Sequence, residues 1–388
     1  MKIIFLTLDI FGMGGTIRTV LNVANYLVEH GYDIEIISVL RYRKESFFYL
    51  DPRIRIVVLH NKMKEKNQTH NIRNIIKKNL NKTKSFLIHK EDEGYYHFSL
   101  LTDIKMYQYI KGIKDGVLIS TRPSFNIFCA KYASKRVIKL GQEHLNLSIY
   151  PSSLQKSIRK YYPKLNYLAT LTDDDTRDYQ KLFSNSKLKI IKLTNSIPPF
   201  ESQVSSLSCK TILAAGRLVP QKGFDLLIEA FSLIVDEVPD WKVKIFGSGK
   251  DKDLLQDMIN EKHLYNHVLL MGPTKEIEKE LMNASIYALS SRFEGFGMVI
   301  VEAMQCGVPV VSFDCPKGPS EIISNQVDGI LVENGDVKQF SKALLTLIQD
   351  EDKRKRLGKM ARQNVKRYSI EEIGAKWISL LKQIEKEN

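Results

Sequence analysis

The sequence predicts an α/β protein of two doubly wound, parallel-sheet domains facing each other across a cleft. Three observations predict it. Short apolar runs alternate with amphipathic stretches along most of the chain, the pattern of repeated βαβ units rather than of segregated strands and helices. Glycine-rich turns follow several of those runs and open the next amphipathic stretch, as strand-to-helix crossings do in such sheets. The alternation breaks once, in the Pro- and Ser-rich stretch from Asn195 to Ser208, and then starts again. The expected division is a first domain over 1–195, a linker over 196–208, a second domain over 209–368 and a terminal helix over 369–388 that packs back on the first domain.

In the first domain, 2–8 reads as a strand, followed by a turn at Gly12, Gly14 and Gly15 and a helix to about Glu29. Gly31 stops that helix, and 33–40 resumes as strand. Further strands are expected at 54–59, 117–120, 137–141 and 168–171, with helices at 124–134 and 176–183. In the second domain, strands are expected at 211–215, 242–246, 268–271, 286–289 and 308–313, and helices at 223–235, 252–262, 275–284 and 338–350. The stretch 369–386 patterns as an amphipathic helix that offers Trp377, Leu380 and Leu381 for packing. Doubly wound sheets bind ligands at the carboxyl ends of their strands, so the turns there are the places to look for chemistry.

Composition sets the class. With 388 residues, 43% hydrophobic and 26% charged, the chain is long enough for two ordinary cores. No apolar run approaches a membrane-spanning length, and the opening residues read as a buried strand rather than a signal peptide. A cytoplasmic location is expected. Cys129, Cys209, Cys306 and Cys315 lack metal-ligand spacing, which argues against a zinc site or a disulfide framework. The formal charge of +14 is concentrated partly at Lys62, Lys64, Lys66, Arg73, Lys77, Lys78, Lys82, Lys84 and Lys90. That stretch reads either as a solvated surface or as a polybasic helix resting on anionic lipid at the inner membrane face. No nucleic-acid module accompanies it.

The richest motif runs from Ser291 to Val311. Glu294 sits in a Gly-rich loop, Gly297 opens a short helix, and Gly307 closes it in the left-handed position that suits glycine. Glu302 lies about a turn inside. Loop amides and the positive helix end suit a phosphate, and two carboxylates suit sugar hydroxyls. Upstream, Gly216 and Arg217 end a strand, with Lys222 and Gly223 just beyond. Arg217 offers a planar fork for a diphosphate and Lys222 a compact charge. In the first domain, Gly14 and Gly15 allow close backbone approach to a phosphate, but the turn is not a complete dinucleotide fingerprint and no acidic residue ends the second strand, against a nicotinamide enzyme. His144 reads either as a sugar ligand or proton-transfer group or as an ordinary loop histidine. Asp173, Asp174 and Asp175 follow Thr172 as an N-cap and macrodipole explain, rather than as a metal site. Gly318 and Glu321, in the rigid loop after the last core strand, are secondary candidates.

Glu294 and Glu302 in their Glu-Gly-Phe-Gly-x4-Glu frame, Arg217 and Lys222 in theirs, and the early Gly14-Gly15-x-x-Arg18 together resemble glycosyltransferase family four. The likeness runs along essentially the whole chain, strongest from Ala214 to Glu333 and weakest from about His60 to Gly116. It implies the GT-B fold of two Rossmann-like domains and a retaining transferase that uses a nucleotide sugar without a bound metal or other cofactor. It implies that Arg217 and Lys222 grip the donor diphosphate, that Glu302 binds the ribose and that Glu294 binds sugar hydroxyls near the anomeric carbon. Gly14 and Gly15 would approach the phosphate from the first domain, and amides at Phe296, Gly297 and Met298 would help hold it. A hexose or N-acetylhexosamine from a UDP-sugar is the expected cargo, and a lipid-linked or anionic cell-envelope glycan the expected acceptor. A catalytically silent nucleotide- or partner-binding domain of the same fold is the alternative.

Overall fold

The computed structural model describes residues 1–63, 72–198 and 204–387. Its contacts divide the chain into two units, Met1–Ser196 with Ile373–Asn388, and Ile197–Glu372.

The first unit is built on seven strands: β1 (Lys2–Thr7), β2 (Asp33–Arg41), β3 (Arg55–Asn61), β4 (Val117–Ser120), β5 (Ile138–Gln142), β6 (Tyr167–Thr170) and β7 (Lys189–Lys192). They lie in the order β3-β2-β1-β4-β5-β6-β7, all parallel. The central strands read as nearly unbroken apolar runs because helices cover both faces. Ile3 and Phe5 of β1 point to one core and Ile4 and Leu6 to the other. The terminal helix Ile370–Glu387 contributes Ile373, Trp377, Leu381 and Ile384 to the first of these cores.

The second unit has six parallel strands: β8 (Thr211–Ala215), β9 (Lys242–Phe246), β10 (Val268–Gly272), β11 (Ile286–Leu289), β12 (Val310–Asp314) and β13 (Gly329–Glu333). Their order is β10-β9-β8-β11-β12-β13. In both sheets the chain starts near the middle, winds to one edge and returns to the other side of its first strand. This puts a topological switch point between β1 and β4 and another between β8 and β11, where such sheets bind ligands.

Part of the expected linker is not a linker. Ser205 donates its backbone N–H to the Cys306 carbonyl at 2.9 Å and its hydroxyl to Ala284 O at 2.7 Å, and Leu207 is buried. Polar composition suggested a free connection, but the serine hydroxyls and backbone of 204–208 find partners within the second unit. Residues 199–203 of that linker lie outside the described residues, as do Lys64 and Lys66. The Asp173–Asp175 run behaves as a helix start: Thr172 accepts from Asp175 N at 3.1 Å, Asp173 pairs with Lys192 and Asp174 with Arg177.

Candidate functional site

The switch point of the second unit gathers most of the residues singled out by sequence. β8 ends at Ala215, and Tyr287 of β11 fixes that end: its buried hydroxyl accepts from Ala215 N at 3.1 Å and donates to Ala215 O at 3.2 Å. The chain then crosses Gly216, whose missing side chain leaves room for the Lys222 stem; a Cβ there would meet three Lys222 carbons at 3.2 Å. Lys222 closes the turn Pro220–Lys222, and Gly223 follows with φ of 61°. A Cβ at Gly223 would stand 2.1 Å from the Ser290 carbonyl oxygen, so this crest and the loop after β11 are in direct backbone contact.

Cross-links lock the two together. Ser290 Oγ donates to Lys222 O at 3.1 Å, Arg292 N donates to Gln221 O at 2.8 Å, and Gln221 Nε2 donates to Phe293 O at 3.1 Å. Arg292 reaches back to hold Pro220 O at 2.7 Å and forks onto Asp225 at 2.9 and 2.6 Å. Burial works against ionisation of Asp225, but hydrogen bonds and charge from Arg292 prevail and hold its carboxyl below the usual range.

At the centre, Lys222 Nζ donates to Glu294 Oε1 at 2.6 Å, and Ser291 Oγ donates to the same oxygen at 2.6 Å. The Glu294 side chain is 7% exposed and that of Lys222 15%. A pair this enclosed, at a strand-end crest, is the strongest candidate in this unit for work on a ligand. An exposed ion pair of the same type would contribute under about 1 kcal/mol and imply nothing. Arg217 is exposed beside it and donates to Gln221 Oε1 at 3.3 Å.

Gly297 then opens helix Met298–Gln305 at φ of 97° with no side chain capping it, so the first amides and the positive helix end stay available to an anion. Phe296 and Glu302 are both buried. Burial raises the Tyr287 phenol, and the charges of Glu302 and Glu294 add to the rise. Gly307 closes the helix at φ of 71°. Gly318, at φ of 149°, packs on the Glu294 loop: a Cβ there would lie 2.6 Å from Phe296 O and 3.3 Å from the Glu294 Cβ. Gly318→Ala is therefore expected to cost about 1–3 kcal/mol and to weaken donor binding. Denaturant unfolding and nucleotide titration of the same variant check both. Glu321 sits in the short helix Pro319–Ile322, its carbonyl accepting from Tyr368 Oη at 2.9 Å.

Gly14, Gly15 and His144 belong to the first unit. Gly14 precedes helix Gly15–Glu29 with extended backbone, and a Cβ at either glycine would meet nothing within 4 Å. The chain itself does not require glycine there, as a closely approaching ligand would. His144 follows β5. Its enclosed Nε2 has no hydrogen-bond partner among the described residues, and burial pushes the imidazole down to about 4, so it is neutral at physiological pH.

Beside it lies a group that sequence reading passed over. Glu143 is buried and accepts from Tyr150 Oη at 2.6 Å, from Asn126 Nδ2 at 2.9 Å and from Tyr162 Oη. Burial raises its carboxyl to about 7 against the pull of those three donors, with Asp175 adding to the rise. The partners come from residues 126 to 162, and no local pattern marks them. Asp225 was equally unmarked, and Ser291 and Arg292 lie inside the Ser291–Val311 motif with no role read for them from sequence.

Residues 200–364 match the family described as glycosyl transferases group 1. That match lies within the second unit. The chain is 31% identical to an exopolysaccharide phosphotransferase from Streptomyces coelicolor over 99% of this chain and 41% of that protein. It is 30% identical to a poly(ribitol-phosphate) alpha-N-acetylglucosaminyltransferase from Staphylococcus aureus over 70% of this chain and 56% of that protein. The chain thus spans less than two thirds of the length of these two relatives. A crystal structure of a point mutant of S. aureus TarM, in complex with fondaparinux, alpha-GlcNAc-glycerol and UDP, superposes with a TM-score of 0.78 at 20% identity, covering 98% of this chain and 99% of that one. That likeness establishes the GT-B fold of two Rossmann-like units.

Proposed function

We propose that this chain transfers a hexose or N-acetylhexosamine from a UDP-sugar to a cell-envelope glycan, with retention at the anomeric carbon. The observation that carries the reading is the enclosed Lys222–Glu294 pair at 2.6 Å, set at a switch point beside an uncapped helix start. The acceptor class follows the named activities of the relatives, one of which acts on a polyol phosphate polymer.

In this reading, Arg217, Lys222 and the amides at Phe296, Gly297 and Met298 hold the diphosphate and stabilise the charge that grows on it as the anomeric C–O bond breaks. Glu302 takes the ribose hydroxyls and Glu294 the sugar hydroxyls. Lys222 has three N–H donors, so it can keep Glu294 oriented while donating to a phosphate oxygen. The acceptor oxygen attacks from the face the nucleotide leaves, and its proton passes to the departing phosphate. His144, neutral at working pH, acts as a hydrogen-bonding partner in the first unit. These cations supply the neutralising charge without a bound metal. Incubation with poly(ribitol phosphate) and labelled UDP-GlcNAc or UDP-glucose tests the reading: label should enter the polymer with α linkage, and β linkage would overturn retention.

Attachment to an anionic membrane from the cytoplasmic side belongs to the same proposal. Helix Ile72–Lys82 exposes Ile75 at 52% and Ile76 at 54%, with Phe86 at 76% nearby, among Lys77, Lys78, Lys82 and Lys84. Apolar side chains set among lysines suit the headgroup boundary of an anionic bilayer. Ile75→Ser with Ile76→Ser and Phe86→Ser is expected to reduce sedimentation with phosphatidylglycerol vesicles at least tenfold; wild-type sedimentation of that variant would contradict the attachment. Among the described residues, no helix is long and apolar enough to cross a membrane.

A further inference from the structure

A second concave surface lies in the second unit, at the opposite end of the helix that forms the candidate donor site. Helix Met298–Gln305 begins at Gly297 and ends before Gly307, and its eight residues span about 12 Å. At the Gly307 end opens a groove of roughly 610 Å³ floored by Leu207 and Gly307 and walled by Lys355, Lys359, Arg362 and Lys366. The wall is helix Glu351–Asn364 with the turn Val365–Tyr368 that continues it, packed against helix Met298–Gln305.

The spacing of the four cations is regular. Steps of four, three and four residues keep them on one helix face and set them about 4.5–6 Å apart along roughly 16 Å of axis. All four are exposed. Lys355 pairs with Glu351 at 2.6 Å; among the described residues no acidic side chain pairs with Lys359, Arg362 or Lys366. A solvated helix face of this length would ordinarily interleave both signs. Cations of one sign lining a concavity reinforce one another's field and attract anions. The groove floor and the long aliphatic stems are apolar, and suit the carbon backbone of a polyol between charges.

We propose that this groove binds the phosphodiester backbone of an anionic polymer acceptor, one phosphate to each of Lys359, Arg362 and Lys366, and so holds the chain while it is glycosylated. The proposal rests on the glycosyltransferase reading for its purpose but not for its measurement. Several phosphates in register with several cations give avidity that a single phosphate lacks, which makes the site selective for polymer over monomer.

The test is fluorescence-detected binding of labelled poly(glycerol phosphate), without donor, to the full chain and to Lys359→Glu with Arg362→Glu. Lys359→Ala with Arg362→Ala serves as a second variant should charge reversal disturb folding, checked by circular dichroism. Polymer affinity is expected to fall at least tenfold in either double variant. The slope of log affinity against log salt should flatten by one to two, and glycerol 1-phosphate should compete only weakly. UDP release from the donor in the absence of polymer should be unchanged, since these residues lie outside the donor site. Wild-type polymer affinity in both variants would overturn the proposal. So would equal binding, lost in parallel, of duplex DNA or phosphatidylglycerol vesicles, which would make the groove a general polyanion surface. A wild-type chain that binds the polymer through these residues yet releases no nucleotide from any sugar donor would sink the transferase reading and leave the groove standing.

Discussion

Lys222→Ala is expected to lower sugar transfer about 10²–10³-fold, the scale of losing one preorganised charge contact to a leaving group. Glu294→Gln is expected to lower transfer as well, but the two variants should part company in binding. In the structure Lys222 Nζ is engaged with Glu294 Oε1 at 2.6 Å. Alanine at 222 removes the cation proposed to hold the diphosphate and leaves an enclosed carboxylate without it, so UDP affinity and stability should both fall, the latter by about 1–3 kcal/mol. Glutamine at 294 instead releases Lys222 from its carboxylate, so UDP affinity should hold or rise while transfer drops. Calorimetric titration with UDP beside initial-rate measurements separates these outcomes. Equal losses of UDP affinity in both variants would mean that the pair is a structural strut.

The second large effect is on stability against pH. Glu143 titrates near 7 in the fold against 4.5 for a free carboxyl. The native state therefore holds this proton more tightly than the unfolded chain, and stability is lost as pH rises from 4.5 to 7, by about 3 kcal/mol in all. His144 runs the other way: lowered from 6.5 to about 4, it resists protonation in the fold, so its contribution is lost as pH falls through that window. His60 is likewise lowered to about 4 by burial and neighbouring lysines and adds to the same slope. Wild-type stability should thus rise by only about 1–2 kcal/mol between pH 5 and 6.5, because the Glu143 linkage offsets one of the two histidines. Glu143→Gln removes one side. Its stability relative to wild type should climb from pH 4.5 to 7 and level off above, measured by urea unfolding at each pH. A difference that does not vary with pH would show that Glu143 binds its proton no more tightly in the fold than in the unfolded chain.

Those two expectations depend on different kinds of information. The sheets were legible because a strand buried on both faces must be apolar and a strand-to-helix turn must be tight, and both requirements leave local marks. β7, with the sequence Lys-Ile-Ile-Lys, and β13 were missed because four- or five-residue edge strands leave little mark. Helix Glu351–Asn364 was missed because its buried face is made of Arg354, Leu357, Gly358 and Ala361. Arg354 is satisfied there by the carbonyls of Leu207, Leu347 and Ile348 rather than by an acid, so no apolar stripe announces the helix. The donor residues were legible by motif, but their pairing was not: 72 positions separate Lys222 from Glu294, and only the switch point brings them together. Glu143 was invisible as a special group because nothing local distinguishes a buried carboxylate with three donors from a surface one.

Release of nucleoside diphosphate reads whether the Lys222–Glu294 switch point activates a nucleotide sugar. The purified full chain and Glu294→Ala are each given UDP-, GDP- and ADP-sugars, and release of the free nucleoside diphosphate is followed with and without poly(ribitol phosphate). The account predicts release from a UDP-sugar by the wild-type chain, stimulated by polymer and reduced at least a hundredfold in the variant. Undiminished release by a folded Glu294→Ala protein, or preference for a GDP- or ADP-sugar, would contradict it.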